Sequence, residues 1–205
     1  AIVPRGDGQA MYEVELKVRA DHGTVRRRLD ELDAEPVDAV GQTDVYYDAP
    51  HRDFAATDEA LRIRQEVTLD GVADRGDVGG DFDWPTDGGT TKVTYKGPLV
   101  DDSSKTREEF ETAVAERDAM EGILDGLGFE PAATVRKRRR RFALSGYTVT
   151  LDEVDGLGEF VEVETEVETE DIGDARDGAV AVLESLGLDA DDGIRTSYLG
   201  LLLDG

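Results

Sequence analysis

Glutamates two residues apart, Glu13-x-Glu15 and Glu162-x-Glu164, and basic residues at the same spacing, Arg62-x-Arg64 and Lys137-x-Arg139, are where this chain is best equipped for chemistry. In a β-strand, residues two apart share a face, so each pair points one way while its apolar neighbours point the other. Five segments repeat the design: Glu13 to Val18, Leu61 to Arg64, Arg107 to Glu111, Val135 to Phe142 and Phe160 to Glu164. A sheet with one richly charged face needs something for that face to hold. A phosphate-bearing polyanion would answer the cations of such a face, since the planar fork of arginine matches phosphate oxygens better than a point charge does. Arg62, Arg64, Lys96, Arg107, Lys137 and Arg139 supply the fixed cations. Carboxylates beside a phosphate repel it unless a cation intervenes, so the acids imply a divalent metal of the oxygen-seeking kind, Mg2+ or Mn2+. Glu13, Glu15, Asp152, Glu162 and Glu164 are the candidate ligands. Glu109 and Glu111 either join them or orient the arginines, and Glu111 and Glu164 have the alternative of neutralising a neighbouring arginine.

The formal net charge of −25 comes from 48 Asp and Glu against 23 Lys and Arg, and lysine occurs only at positions 17, 92, 96, 105 and 137. Lys17, Lys96 and Lys137 fall in charged motifs although surface lysine is almost absent, which argues that they are kept for a purpose; Lys92 and Lys105 read as solvated strand edges. A surface this acidic repels itself until salt shortens the Debye length to about 3 Å near 1 M. The composition is therefore that of a halophile's cytoplasmic protein. Hydrophobic residues make up 39% of the chain and recur with strand and helix periods, which excludes an acidic disordered protein.

With no cysteine, disulfides, thiolate metal sites and thiol catalysis are excluded. His22 and His51, in a helix start and a loop, read as surface residues, so zinc is not expected. No apolar run is long enough to span a bilayer. In a strand, the run Arg136 to Arg141 sends Lys137, Arg139 and Arg141 to one face and Arg136, Arg138 and Arg140 to the other, towards outer acids. It lacks interleaved aromatics, so neither nucleic acid nor membrane is the expected partner.

The elements that must position these residues form two similar halves. A strand over 12–19 leads to a helix capped near Asp21 or Thr24, with Val25, Leu29 and Leu32 on its apolar face, and then to strands around 43–47 and 60–67. A strand over 106–113 leads to a helix from about Asp118 with Met120, Ile123, Leu124 and Leu127 buried and Gly128 as its stop, and then to strands over 134–143, 147–154 and 159–168. A last helix over 174–186, ended by Gly187, precedes a short apolar tail, Tyr198 to Leu203. Residues 1–10 are set aside as a flexible extension or expression remnant, residues 11–205 form one domain, and the Gly- and Asp-rich stretch at about 69–90 reads as a long acidic loop.

Taken in order, Glu13-x-Glu15-x-Lys17, Asp44-x-Tyr46-Tyr47-Asp48, Leu61-Arg62-Ile63-Arg64, Lys96-Gly97-Pro98, Lys137-x-Arg139, Leu151-Asp152-x-Val154-x-x-Leu157-Gly158-x-Phe160-x-Glu162-x-Glu164 and Ser197-Tyr198-x-x-Leu201-Leu202 resemble the CYTH superfamily, which contains class IV adenylyl cyclases and thiamine triphosphatases. The resemblance runs from about Met11 to Leu203. It implies an α+β fold: an eight-stranded antiparallel β-barrel, the triphosphate tunnel, with helices packed outside and a charged lumen that binds a nucleotide or inorganic triphosphate with Mg2+ or Mn2+. It assigns Lys17, Lys137 and Arg139 to the reacting phosphates. The similarity leans toward the cyclases, which convert ATP to cyclic AMP and pyrophosphate. One departure keeps the triphosphatase reaction equally open: bacterial members with cyclase activity carry a His-Phe pair six residues before the first motif glutamate, where this chain has Asp7 and Gly8. A non-catalytic triphosphate-binding module is the third reading, and a homodimer is an open option.

Overall fold

The computed structural model describes residues 2–4, 10–69, 89–98, 109–168 and 171–203, with side chains from residue 14 onward. The acidic stretch over 70–88, Lys105 and Arg107 lie outside the described residues. Among the described residues there are nine strands: β1 (Ile2–Pro4), β2 (Ala10–Arg19), β3 (Glu35–Asp48), β4 (Ala60–Thr68), β5 (Thr90–Lys96), β6 (Glu109–Val114), β7 (Glu130–Leu144), β8 (Tyr147–Val154) and β9 (Gly158–Glu168). The α-helices among the described residues are α1 (His22–Glu31), α2 (Phe54–Thr57), α3 (Arg117–Gly126), α4 (Ile172–Ser185) and α5 (Tyr198–Leu203).

All strand pairings are antiparallel, in the order β1-β2-β9-β8-β7-β3-β4-β5-β6. The eight strands β2 to β9 curl until the two edges, β1 and β6, come close together. The expected barrel is thus a tunnel that hydrogen bonds do not close among the described residues. Within the segment set aside in the sequence reading, Ile2, Val3 and Pro4 add to its edge by pairing with Tyr12, Met11 and Ala10.

Local signals account for the connections. Ser145 and Gly146, both at positive φ (54° and 83°), make the two-residue turn between β7 and β8, the geometry that suits the right-handed twist of a hairpin. Asp21 caps α1 by accepting from the Thr24 N–H at 2.8 Å. Gly128 and Gly187 end α3 and α4 at φ 84° and 80°, the left-handed conformation that favours glycine.

The apolar alternate positions pack outward under the helices. Val18, Val149, Leu151, Val161 and Val163 meet Val25 and Leu29 of α1 and Ala179, Val182 and Leu183 of α4. Tyr47, Leu61 and Ile63 meet Phe54 of α2 and Leu124 of α3. A third cluster, Val135, Val154 and Phe160 with Tyr198 of α5, lies on the opposite, inner face of the sheet. Each fully buried Leu or Val contributes about 1.5–3 kcal/mol by leaving water. The expected apolar face of α3 is only half used: Leu124 is buried and Met120 packs against the cluster, but Ile123 and Leu127 are exposed. No helix among the described residues is long and apolar enough to cross a membrane.

Candidate functional site

Because Leu16 and Val18, Leu61 and Ile63, Val149 and Leu151, and Val161 and Val163 face the helices, their strand neighbours face the tunnel. That places Glu15 and Lys17 of β2, Arg62 and Arg64 of β4, Thr150 and Asp152 of β8, and Glu162 and Glu164 of β9 inside. On β7, Lys137 and Arg139 point inward, whereas Arg138 turns outward to bond Glu153. Lys17, Asp44, Lys137, Asp152 and Glu162 are 5%, 1%, 5%, 0% and 3% exposed. Ions this deep are tolerated only when paired, and the tunnel is organised by its pairs.

One cluster centres on Asp152. Its Oδ1 accepts from Arg139 Nε at 2.8 Å, its Oδ2 accepts from Arg139 Nη2 at 2.6 Å and from the Tyr198 hydroxyl at 3.0 Å, and Lys137 Nζ stands 3.8 Å away. Burial alone would raise its pKa, yet Arg139 and Lys137 hold it well below the usual carboxylate range. A second cluster centres on Asp44, which takes Arg64 Nε at 2.6 Å and Nη2 at 2.7 Å, with Arg62 Nη1 at 3.4 Å. Here too burial is outweighed, by Arg64 and Arg62, and the acid stays ionised. The two aspartates use the same two-pronged grip, which fixes the guanidinium planes.

Lys137 lies between these clusters, and burial, reinforced by Arg139, lowers its pKa to about 8 from the ordinary 10.5. Lys17 Nζ is 3.6 Å from Glu15 and 3.7 Å from Glu162. Carboxylate oxygens of Glu15, Glu162 and Glu164 all lie within 4.8 Å of one another. Burial and the nearby Glu15 raise the pKa of Glu162 in spite of Arg139, whose Nη2 donates to it at 2.6 Å. Three hard oxygen donors crowded together are a chemically apt set for Mg2+ or Mn2+.

The expected ligand set therefore divides. Glu15, Glu162 and Glu164 converge, whereas both oxygens of Asp152 accept from Arg139, which makes it an anchor for that guanidinium. Glu13 pairs with Glu166 in the register, one step beyond the Glu15–Glu164 pair, and its side chain lies outside the described ones. Lys96 bonds Glu109 at 2.9 Å, and Glu109 also acts on Arg62 of the Asp44 cluster. Lys92 is solvated as expected, its side chain 40% exposed, and there it pairs with Glu111 at 2.8 Å, while Thr94 donates to the same carboxylate at 2.9 Å. Glu109 and Glu111 are thus partners of lysines. Arg141 is held by both oxygens of Asp38 at 2.7 Å. His22 is half-buried, with Nε2 2.9 Å from the Phe160 carbonyl and its backbone N–H donating to Glu159 at 2.9 Å, so it anchors α1 to β9 where a free surface residue was expected.

Sequence reasoning assigned no role to Asp44, Gln42 or Tyr198. Asp44 and Gln42 sit two apart on β3, the same alternation that marked the other strands, and that signal was available. Gln42 Oε1, Arg62 Nε and Thr150 Oγ1 are buried polar atoms without a hydrogen-bond partner, and all three belong to tunnel-facing residues. Such atoms are usually satisfied by ligand or water.

The CYTH domain family matches residues 11–198. A Methanocaldococcus jannaschii protein whose name carries adenylate cyclase as a provisional assignment is 34% identical over 193 residues, covering 93% of this chain and 98% of the relative. Among solved structures, the Pyrococcus horikoshii protein PH1819 has 38% identity and a TM-score of 0.76, covering 94% of this chain and 99% of its own. A Hippeastrum adenylyl cyclase candidate described as having a dominant triphosphatase activity shares the fold at 19% identity and a TM-score of 0.60, covering 95% of this chain and 96% of its own. With the curled sheet, the charged interior and a match over most of its length, the chain belongs to the CYTH domain family.

Proposed function

We propose that this chain is a divalent-metal-dependent enzyme that binds a triphosphate in the tunnel and cleaves one of its phosphoanhydride bonds. The observation that carries this reading is the meeting of the buried Lys17 and Lys137 and the largely covered Arg62, Arg64 and Arg139 with the three-glutamate group on one interior face. A polyanion answers the cations, and a metal-bound polyanion answers both. Glu15, Glu162 and Glu164 would hold Mg2+ or Mn2+, which when bound neutralises phosphate charge and orients the oxygens. Asp44 and Asp152 fix Arg64 and Arg139 before any ligand arrives, so phosphate is met by donors already in place. Lys137 and Lys17 add ammonium groups that can follow the charge as it moves to the leaving group.

Two reactions fit this site. Attack of a ribose 3′-hydroxyl on the α-phosphorus would release pyrophosphate, and the Methanocaldococcus jannaschii relative favours it. Attack of water on the terminal phosphorus would release phosphate, and the Hippeastrum protein favours that. Incubating the protein with ATP, thiamine triphosphate or tripolyphosphate, with Mg2+ or Mn2+ in high KCl, separates them by product. Cyclic AMP with pyrophosphate identifies the cyclase, and phosphate the hydrolase. Binding without product leaves a triphosphate-binding module, and no binding of any of the three rejects the tunnel reading.

A further inference from the structure

The closing stretch Ser197-Tyr198-x-x-Leu201-Leu202 reads in sequence as an apolar tail, yet it forms part of the tunnel floor. Ser197 Oγ accepts from the Gly200 N–H at 3.1 Å and so caps α5. Leu201 and Leu202 pack against the Val135, Val154 and Phe160 cluster. Tyr198, 7% exposed, is thereby aimed at the buried ions. Its hydroxyl donates to Asp152, Lys17 Nζ lies 4.6 Å and Lys137 Nζ 5.1 Å from its ring centroid, and Phe160 braces the ring edge-on at 5.0 Å. The segment before α5 is tied to the same place, because the Ile194 N–H donates to the Lys17 carbonyl at 2.7 Å.

We propose that Tyr198 is a positioning residue for the triphosphate site, its ring gathering the ammonium groups of Lys17 and Lys137 and its hydroxyl steadying Asp152, so that α5 belongs to the site. This rests on the triphosphate reading above. The need is geometric. Lys17 is on β2 and Lys137 on β7, with β9 and β8 between them, so no pairing of neighbouring strands sets the separation of the two lysines. A lysine carries its charge on a flexible four-carbon stem, unlike the arginines pinned through two nitrogens. An aromatic face that attracts both cations restricts them without neutralising either, leaving the charge for phosphate.

The scarcity of lysine makes the test direct, because a 13C-lysine-labelled sample has five side chains, at 17, 92, 96, 105 and 137. In the wild-type protein the ε-methylene resonances of Lys17 and Lys137 should be displaced by the ring current of Tyr198. Tyr198→Phe should preserve the displacement and Tyr198→Leu should abolish it. Tripolyphosphate binding with Mg2+, measured by calorimetry, should weaken about tenfold in Tyr198→Leu, the combined worth of two modest cation–π contacts, and by less than about threefold in Tyr198→Phe. In a Lys137→Ala background the loss caused by Tyr198→Leu should shrink, which a merely structural residue would not show. Undisplaced lysine resonances in the wild type overturn the proposal even if Tyr198→Leu fails to fold. Wild-type affinity in a folded Tyr198→Leu protein overturns it as well. A wild-type protein that binds no tripolyphosphate rejects the triphosphate reading itself, a separate outcome.

Discussion

Replacing Asp152 by asparagine tests whether this carboxylate serves the cations or the metal. The side chain has no exposure, bonds Arg139 through both oxygens and stands 3.8 Å from Lys137. The amide keeps the shape and removes the charge, so two buried cations lose their shared counter-ion. Removing one partner of a buried pair costs about 3–5 kcal/mol. For a chain of this size each kcal/mol moves Tm by about 2–4 °C, so Asp152→Asn should melt about 6–20 °C below wild type at neutral pH in molar KCl. The gap should narrow at higher pH, since Lys137 already titrates near 8 and can give up its proton when Asp152 no longer supports its charge. Tripolyphosphate should also narrow it by supplying the missing negative charge. Mg2+ alone should still stabilise both proteins, because Glu15, Glu162 and Glu164 are intact in each, though less in Asp152→Asn, where Arg139 has only Glu162 left to bond. Thermal melts with and without each ligand decide the matter. Loss of the Mg2+ effect in Asp152→Asn would return Asp152 to the metal's ligands, and a Tm within about 2 °C of wild type would show that it compensates no buried charge.

Tripolyphosphate affinity should fall as pH rises through about 8, where Lys137 loses its proton, and Lys137→Arg should flatten that decline in calorimetry. The free protein should gain stability from about pH 8 to 10.5, because there the unfolded lysine binds the proton and the folded one does not; denaturant melts showing a fall would contradict the burial of Lys137. Glu162→Gln should abolish the enhancement of tripolyphosphate binding by Mn2+, and wild-type Mn2+ affinity should drop as pH is lowered through the raised pKa of Glu162. With a net charge of −25, Tm should climb as KCl rises toward molar, and a salt-independent Tm would remove the halophile reading.

The alternation of residue types was enough to read the faces, because a strand has only two. It divided the arginine run of β7 correctly, with Arg138 bonded outward to Glu153 and Lys137 and Arg139 turned inward. What it could not supply was partnership. Arg139 faces Asp152 directly across the β7–β8 hairpin, whereas the crowding of Glu162 and Glu164 depends on Glu15, on a strand far away in the chain, and that distance is invisible to alternation. The apolar positions of α3 show the same limit: periodicity defines a stripe, but how much is covered depends on where the helix meets the sheet, and Ile123 and Leu127 fall past that contact. Helix α2, four residues capped by Asp53 accepting from the Ala56 N–H at 3.1 Å, is too short to show a period.

If the tunnel holds metal and phosphate as proposed, Glu162 makes their binding interdependent. It belongs to the three-glutamate group and at the same time engages Lys17 at 3.7 Å and Arg139 at 2.6 Å. A metal taken up by that group competes with the two cations for the same carboxylate, and whatever Glu162 yields of Lys17 and Arg139 becomes available to an anion. Asp44 and Asp152 lack this double allegiance: they grip arginines through both oxygens and stay ionised in spite of burial. The tunnel thus contains two kinds of carboxylate, aspartates that set the arginine planes and a glutamate whose allegiance can change. Either ligand alone leaves part of the buried charge uncompensated, and binding both removes that cost, which is thermodynamic coupling with the same factor in each direction. An arrangement of this kind favours the metal–triphosphate complex over free metal or free anion.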